Sequence, residues 1–245
     1  MIETVALKNK TVVVTGGATG IGFAIANLFS QRGANVAIGS RRQDAIDRAI
    51  QMSSSAILGH TLDVASRDSV ESFFAWVETS LGPVDFLVNA AGVNIRDRSI
   101  GSMAPEQWDQ VMAINATGAY NCIHSVLPQM RARQNGMIIN ISSVAGKRAL
   151  ALGGVAYAAS KFAMTALGTC VSNEVCAENI RVTNVYPGEV DTPILEQRPT
   201  PVTEDHRQRI LRPEDIAEIV VGLASLPDRV HVPEIVIKPV SQQYY

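Results

Sequence analysis

Val12-Val13-Val14-Thr15-Gly16-Gly17-Ala18-Thr19-Gly20-Ile21-Gly22-Phe23-Ala24-Ile25-Ala26-Asn27-Leu28-Phe29 decides the fold. A β-branched strand, a glycine-rich turn and a helix follow one another without interruption. Glycines allow positive φ and let a ligand approach where a Cβ would block it. The helix start offers unpaired N–H groups and the positive end of its dipole, together a seat for a phosphate. The spacing is Gly-x-x-x-Gly-x-Gly and not the Gly-x-Gly-x-x-Gly of the common dinucleotide fingerprint, so a tight turn holding nothing is the competing reading.

Outward from this turn, β-branched runs alternate with helical stretches: Val12 to Thr15, Val36 to Gly39, Ala56 to Leu62, Phe86 to Asn89, Met137 to Ser142, Arg181 to Tyr186 and Ile235 to Ile237. That alternation specifies βαβ units and a parallel sheet, and continuously apolar strands need cover on both faces. The expectation is an α/β chain, a Rossmann-type doubly wound parallel sheet of about seven strands with helices on both faces, forming one unit over residues 1–245. Gly82-Pro83, Pro187-Gly188 and Pro213 mark loops, and no linker separates domains. The stretch Glu189 to Arg212, rich in Pro, Thr and charge, is the longest irregular segment. Loops at the C-terminal ends of strands line the ligand crevice of such sheets, which makes 189–212 a candidate lid.

The 245 residues are 47% apolar, ample for one large core. A formal charge of -2 with no basic patch argues against nucleic acid and anionic membranes as partners. The first valine run is too soon broken by glycine to form the apolar part of a secretion signal. Ala149 to Val171 is the most apolar long stretch, yet it carries Tyr157, Ser160 and Lys161 and so reads as a buried helix, not a membrane span. Cys122, Cys170 and Cys176 form no paired motif and read as core thiols in a reducing, cytoplasmic setting. His60, His124, His206 and His231 lack ligand spacing, so no metal is expected.

Tyr157 and Lys161 are four apart and share a helix face. A free tyrosine titrates near pH ~10, and a neighbouring ammonium stabilises its phenolate, so Lys161 is placed to make Tyr157 a general acid–base. The plain alternative is a hydroxyl and an ammonium reaching solvent. Upstream, the apolar run from Met137 ends in Ser142-Ser143, where a strand end faces the crevice. Ser143 can donate a hydrogen bond to a substrate carbonyl oxygen, or merely cap the next turn.

Taken in order, the glycine-rich turn, Asp63-Val64, Asn89-Ala90-Ala91-Gly92, Asn115, Ser143, Tyr157-x-x-x-Lys161 and Pro187-Gly188-Glu189-Val190-Asp191-Thr192-Pro193 resemble the short-chain dehydrogenase/reductase family over nearly the whole chain. The resemblance implies a nicotinamide-dependent oxidoreductase acting on carbonyls and alcohols. It assigns Gly16, Thr19, Gly20, Ile21 and Gly22 to the pyrophosphate, Asp63 and Val64 to the adenine, and Asn89, Ala90 and Gly92 to the adenosine ribose. Pro187, Gly188, Val190 and Thr192 go to the nicotinamide end. Ser143, Tyr157 and Lys161 match the catalytic triad, Lys161 also binding the nicotinamide ribose, and Asn115 matches a residue that anchors a water relay to the lysine. One residue more than in many members separates Ser143 from Tyr157, which keeps Ser142 as an alternative serine.

NAD proteins of this fold place an acid at the end of the second strand to bind the ribose 2′-hydroxyl. Here Ser40, Arg41 and Arg42 stand there, a hydroxyl and two guanidiniums suited to a 2′-phosphate, so NADP(H) is expected over NAD(H). The alternative is two solvated arginines balanced by Asp44 and Asp47. The tail from His231 to Val240 resembles that of hydroxy-acid and serine dehydrogenases of the family, making a hydroxy-acid or hydroxy-amino-acid dehydrogenase the second reading. A non-catalytic NADP(H) sensor is a third, disfavoured because Asn115, Ser143, Tyr157 and Lys161 occur together. Specificity should reside in 93–103, 147–155 and 189–212. Arg96, Arg98 and Arg148 are either partners for an acidic substrate or plain loop charges. The resemblance further implies a homotetramer or homodimer, built on helices near Val111 to Met130 and Ala156 to Val175.

Overall fold

Every side chain of β1 (Thr11–Thr15) is buried, because this strand lies inside the sheet. Val12 and Val14 join one hydrophobic cluster and Val13 the other, the period of two expected of a strand covered on both faces. In the computed structural model, which describes residues 7–243, six further strands run parallel to it. These are β2 (Asn35–Ser40), β3 (Ile57–Thr61), β4 (Phe86–Asn89), β5 (Gly136–Ile141), β6 (Ile180–Pro187) and β7 (Glu234–Ile237), in the order β3-β2-β1-β4-β5-β6-β7. The β-branched runs mark these same strands to within a residue or two at each end. The outermost residues of the expected 1–245 unit, 1–6 and 244–245, including the start of the segment weighed as a secretion signal, lie outside the described residues.

The helices are α1 (Gly20–Gln31), α2 (Gln43–Met52), α3 (Arg67–Leu81), α4 (Pro105–Met112), α5 (Gly118–Arg133), α6 (Val155–Val175), α7 (Glu204–Arg207) and α8 (Pro213–Ala224). Ile25, Phe29, Ile46, Ile216 and Val220 from α1, α2 and α8 pack with Val12 and Val14. Phe73, Val77, Ile123, Val126, Met130 and Val171 from α3, α5 and α6 pack with Val13. The strand order reverses between β1 and β4, and a crevice opens above the carboxyl ends of these two strands, where open α/β sheets bind ligands.

Three polar residues cross this apolar sheet in register. Asn89 of β4 lies opposite Asn140 of β5, which lies opposite Asn184 of β6. Asn89 Nδ2 donates to Asn140 Oδ1 at 3.0 Å and Asn140 Nδ2 to Asn184 Oδ1 at 3.1 Å, so each amide satisfies the next.

Two expectations change. The apolar stretch from Ala149 does not form one buried helix: α6 begins at Val155 after a turn, and one of its faces, with Val155, Phe162, Ala166 and Cys170, is exposed. Cys122 is a core thiol, its pKa pushed up to about 12 by burial, but Cys170 and Cys176 lie at the surface because they project from that outer face and from the turn that ends it. Apolar composition alone does not say which side of a helix meets the sheet.

Candidate active site

The crevice is a cleft of about 720 Å³. On its nucleotide side the β1–α1 turn comes so close to the segment after β4 that a Cβ on Gly16 would lie 2.7 Å from Ala91 Cα, and Gly16 adopts φ 65°, which glycine alone takes without strain. Phe23 N–H makes the first helical bond, to Thr19 O at 3.2 Å, and Thr19 makes no side-chain cap. The N–H groups of Gly20, Ile21 and Gly22 are therefore left as the open donors of α1, at the cleft wall.

Ser40, Arg41 and Arg42 line the cleft at the end of β2. Of the acids that were to balance these arginines, Asp44 accepts from Arg48 at 2.7 Å, and this bond with the charges of Arg48 and Arg42 holds its carboxyl below the usual range, while Asp47 accepts from Gln43 at 2.8 Å. Asp63, Val64, Ala90, Gly92, Pro187, Gly188, Val190 and Thr192 also line the wall. Asn89 does not. It is 2% exposed and its side chain is spent on the asparagine row, so it supports the cleft floor through the sheet. Its Oδ1 is buried without a partner.

On the opposite side α6 presents Tyr157 and Lys161. Lys161 is 4% exposed; its Nζ donates to Ile141 O at 2.8 Å and stands 5.7 Å from the Tyr157 ring centre. Burial pushes its pKa down to about 8, because the charged form loses water. Burial raises the Tyr157 pKa; a hydrogen bond with Ser143 and the charge of Arg98 oppose it. Against the expectation from the four-residue spacing, the cation that opposes burial here is Arg98, while Lys161 stands behind the ring and burial prevails. Ser143 stands beside the tyrosine, its Oγ also accepting from Ala145 N–H at 3.1 Å. Ser142 turns into the α6 packing, donating to Lys161 O at 3.2 Å, so of the two serines Ser143 is the one at Tyr157.

Asn115 sits in a π-helical turn, Ala113–Thr117, between α4 and α5. It is fully buried and does not reach the cleft wall. Its Oδ1 accepts from Val93 N–H at 2.8 Å, and its Nδ2 donates to Val93 O at 2.9 Å and Ser160 Oγ at 3.0 Å. It fastens the loop after β4 to the helix that carries Tyr157.

The segment 189–212 contains a 3₁₀ turn, Pro193–Gln197, and α7, and is less irregular than its composition suggests. Its base is closed by Asp191 N–H to Leu211 O at 2.8 Å and Leu211 N–H to Glu189 O at 3.0 Å. Glu189 accepts from Arg198 at 2.8 Å and pairs with His206 Nε2 at 2.6 Å; burial pushes its pKa up, and these two partners together bring it below the usual carboxylate value. Sequence reading missed Arg198 and Gln242, both at the cleft wall, and the side of Arg98 that faces Tyr157. Arg96 and Arg148 are exposed and do not line it.

The family model described as short chain dehydrogenase matches residues 10–202. The chain is 34% identical to 3-oxoacyl-[acyl-carrier-protein] reductase of Thermotoga maritima, covering 89% of this chain and 92% of that one. It is 35% identical to acetoacetyl-CoA reductase of Rhizobium meliloti, over 89% and 91%. A closed form of serine dehydrogenase complexed with NADP+ superposes with a TM-score of 0.88 over 96% of both chains, at 29% identity.

Proposed function

Because the chain belongs to the short-chain dehydrogenase family, we propose that it is an NADPH-dependent oxidoreductase that reduces a ketone or aldehyde to an alcohol, and that the reaction is reversible. The observation that carries this reading is Tyr157 at the cleft wall, hydrogen-bonded to Ser143 and backed by the buried Lys161.

The open N–H groups of α1 with Thr19 would hold the pyrophosphate of NADP(H), and Ser40, Arg41 and Arg42 its 2′-phosphate. Asp63 and Val64 would border the adenine, Ala90 and Gly92 the ribose, and Pro187, Gly188, Val190 and Thr192 the nicotinamide. Bound NADPH supplies the hydride. Ser143 donates to the substrate carbonyl oxygen and fixes it beside Tyr157. Tyr157 gives its proton to that oxygen, so negative charge does not build fully there. Lys161, as the ammonium, stabilises the phenolate that remains, and Asn115 holds the π-helical turn through which water returns the proton.

A second reading, oxidation of a hydroxy acid or hydroxy amino acid by NADP+, is supported by the likeness to serine dehydrogenase. We place the chain in the cytoplasm as a homotetramer or homodimer, acting on a small molecule. Tyr120 and His124 on α5 and Val155 and Phe162 on α6 supply exposed faces for a second copy, and 189–212 serves as the substrate lid. Among the described residues no helix is long and apolar enough to cross a membrane.

The test follows NADPH consumption against aldehydes, ketones, β-keto acids and β-keto esters, with NADH and Tyr157→Phe alongside. NADPH-preferring turnover that falls about 10³-fold in the variant is expected, the size of a lost general acid. Turnover that survives in Tyr157→Phe, or an NADPH that binds and is never oxidised, would overturn it.

A further inference from the structure

Arg98 lies in the loop between β4 and α4 and spends three different N–H groups on three backbone carbonyls. Nε donates to Ile95 O at 2.7 Å, Nη1 to Leu152 O at 2.6 Å and Nη2 to Gln197 O at 2.8 Å. Ile95 belongs to its own loop, Leu152 to the loop before α6, and Gln197 to the 189–212 segment. One side chain therefore joins all three segments around the substrate end of the cleft. Its main chain is tied as well: Arg98 O accepts from Val155 N–H at 3.2 Å, two residues before Tyr157. Gly154, at φ 82°, leaves the space this needs, since a Cβ there would lie 2.5 Å from Arg98 Cβ. Asn94 Nδ2 to Gly153 O at 3.1 Å reinforces the same junction.

Carbonyl oxygens satisfy the guanidinium without neutralising it. Among the described residues no carboxylate lies within ion-pair distance of Arg98, and the charge of Arg198 that acts on it is itself paired with Glu189. The groups that bear on the Tyr157 hydroxyl are Ser143 at the end of β5 and Arg98; Lys161 on α6 stands behind its ring, and Arg198, itself paired with Glu189, acts on Arg98 in turn. Arg98 and Tyr157 line the same cleft, where a cation facing the phenol favours the phenolate.

We propose that Arg98 is a positioning residue: it fastens the three substrate loops into one wall and holds an uncompensated charge toward Tyr157, so that closing the 189–212 segment and tuning the acid–base are a single event. The catalytic half rests on the reductase reading above; the tie between loops does not.

Hydrogen exchange on the full-length protein, comparing wild type with Arg98→Gln and Arg98→Lys, tests the tie. In both variants exchange should rise together, about tenfold, in 94–103, 148–154 and 193–199, while the β1–α1 turn is unchanged. The pH profile of alcohol oxidation tests the charge. Its rising limb should move to higher pH by about one unit in Arg98→Gln, because a phenolate is harder to form without the cation, and stay in place in Arg98→Lys, which keeps the charge. Exchange that is unchanged, or that rises in one loop alone, overturns the tie. A limb that does not move in Arg98→Gln, or that moves equally in Arg98→Lys, overturns the role of the charge. If no substrate turns over in a way Tyr157→Phe abolishes, the reductase reading and the tuning it carries fall together, while exchange still decides the tie.

Discussion

The two ends of the cleft are built by different means. At the nucleotide end the turn from Thr15 to Gly22 is main chain, packed so closely on the segment after β4 that Gly16 has no room for a Cβ. The substrate end is held by long side chains: Arg98 reaches Gln197 across 99 residues, and Arg198 reaches Glu189 within the 189–212 segment. Backbone geometry is rigid and set locally; side-chain ties can be made and broken. A cleft so divided can keep one ligand's seat constant while the other wall varies.

The comparison breaks most severely at Gly16. Gly16→Ala places a Cβ against immovable backbone at positive φ, so the unfolding free energy should fall by about 4 kcal/mol and nucleotide binding should be lost, read by denaturant melts and titration with NADPH. If the turn absorbs alanine without loss, the nucleotide end is not the rigid one.

Lys161→Met probes the cost of burying charge beside the acid–base. With its pKa lowered from 10.5 to about 8 in the fold, the lysine is charged in both states below pH 8 and carries its full penalty there. Between about 8 and 10.5 the unfolded chain binds more protons, so wild type gains stability on the variant as pH rises, by about 3 kcal/mol in all. Melts of the two proteins without nucleotide across that range measure the slope; a flat difference contradicts it.

Arg41→Ala should weaken NADPH binding about 30-fold and leave NADH nearly unchanged, because one charge-assisted bond to a phosphate is removed. Equal weakening of both would return Arg41 to the solvated role. The smallest effect is expected in the lid: Glu189→Gln should cost about 1 kcal/mol, since the Arg198 pair is only partly shielded from water. Because the Glu189 pKa is lowered in the fold, its stabilisation is present above the usual carboxylate value and is lost as pH falls, so variant and wild type should converge in acid.

Legibility follows the same division. Seven strands were readable because β-branched runs buried on both faces have few other conformations. The glycine turn, the shared face of Tyr157 and Lys161 and a serine at the end of β5 were readable because strand ends and a four-residue helical spacing fix where such groups project. That the Asn89 side chain joins a row across three strands was not readable, since sequence adjacency to Gly92 says nothing of which way a strand side chain turns. Of three arginines with equal claims, Arg96, Arg98 and Arg148, nothing in the chain marked Arg98 as the one drawn inward.

By itself, then, the sequence determined the sheet, its order of elements and the chemistry that strand and helix ends display, since these arise from contiguous residues acting on their own backbone. Only the tertiary structure decided which serine meets Tyr157, how the asparagines link three strands, which cysteines are buried, and that one guanidinium joins three loops. Those outcomes depend on segments far apart in the chain arriving at one place, where each donor bonds whichever carbonyl the folded backbone has brought within reach.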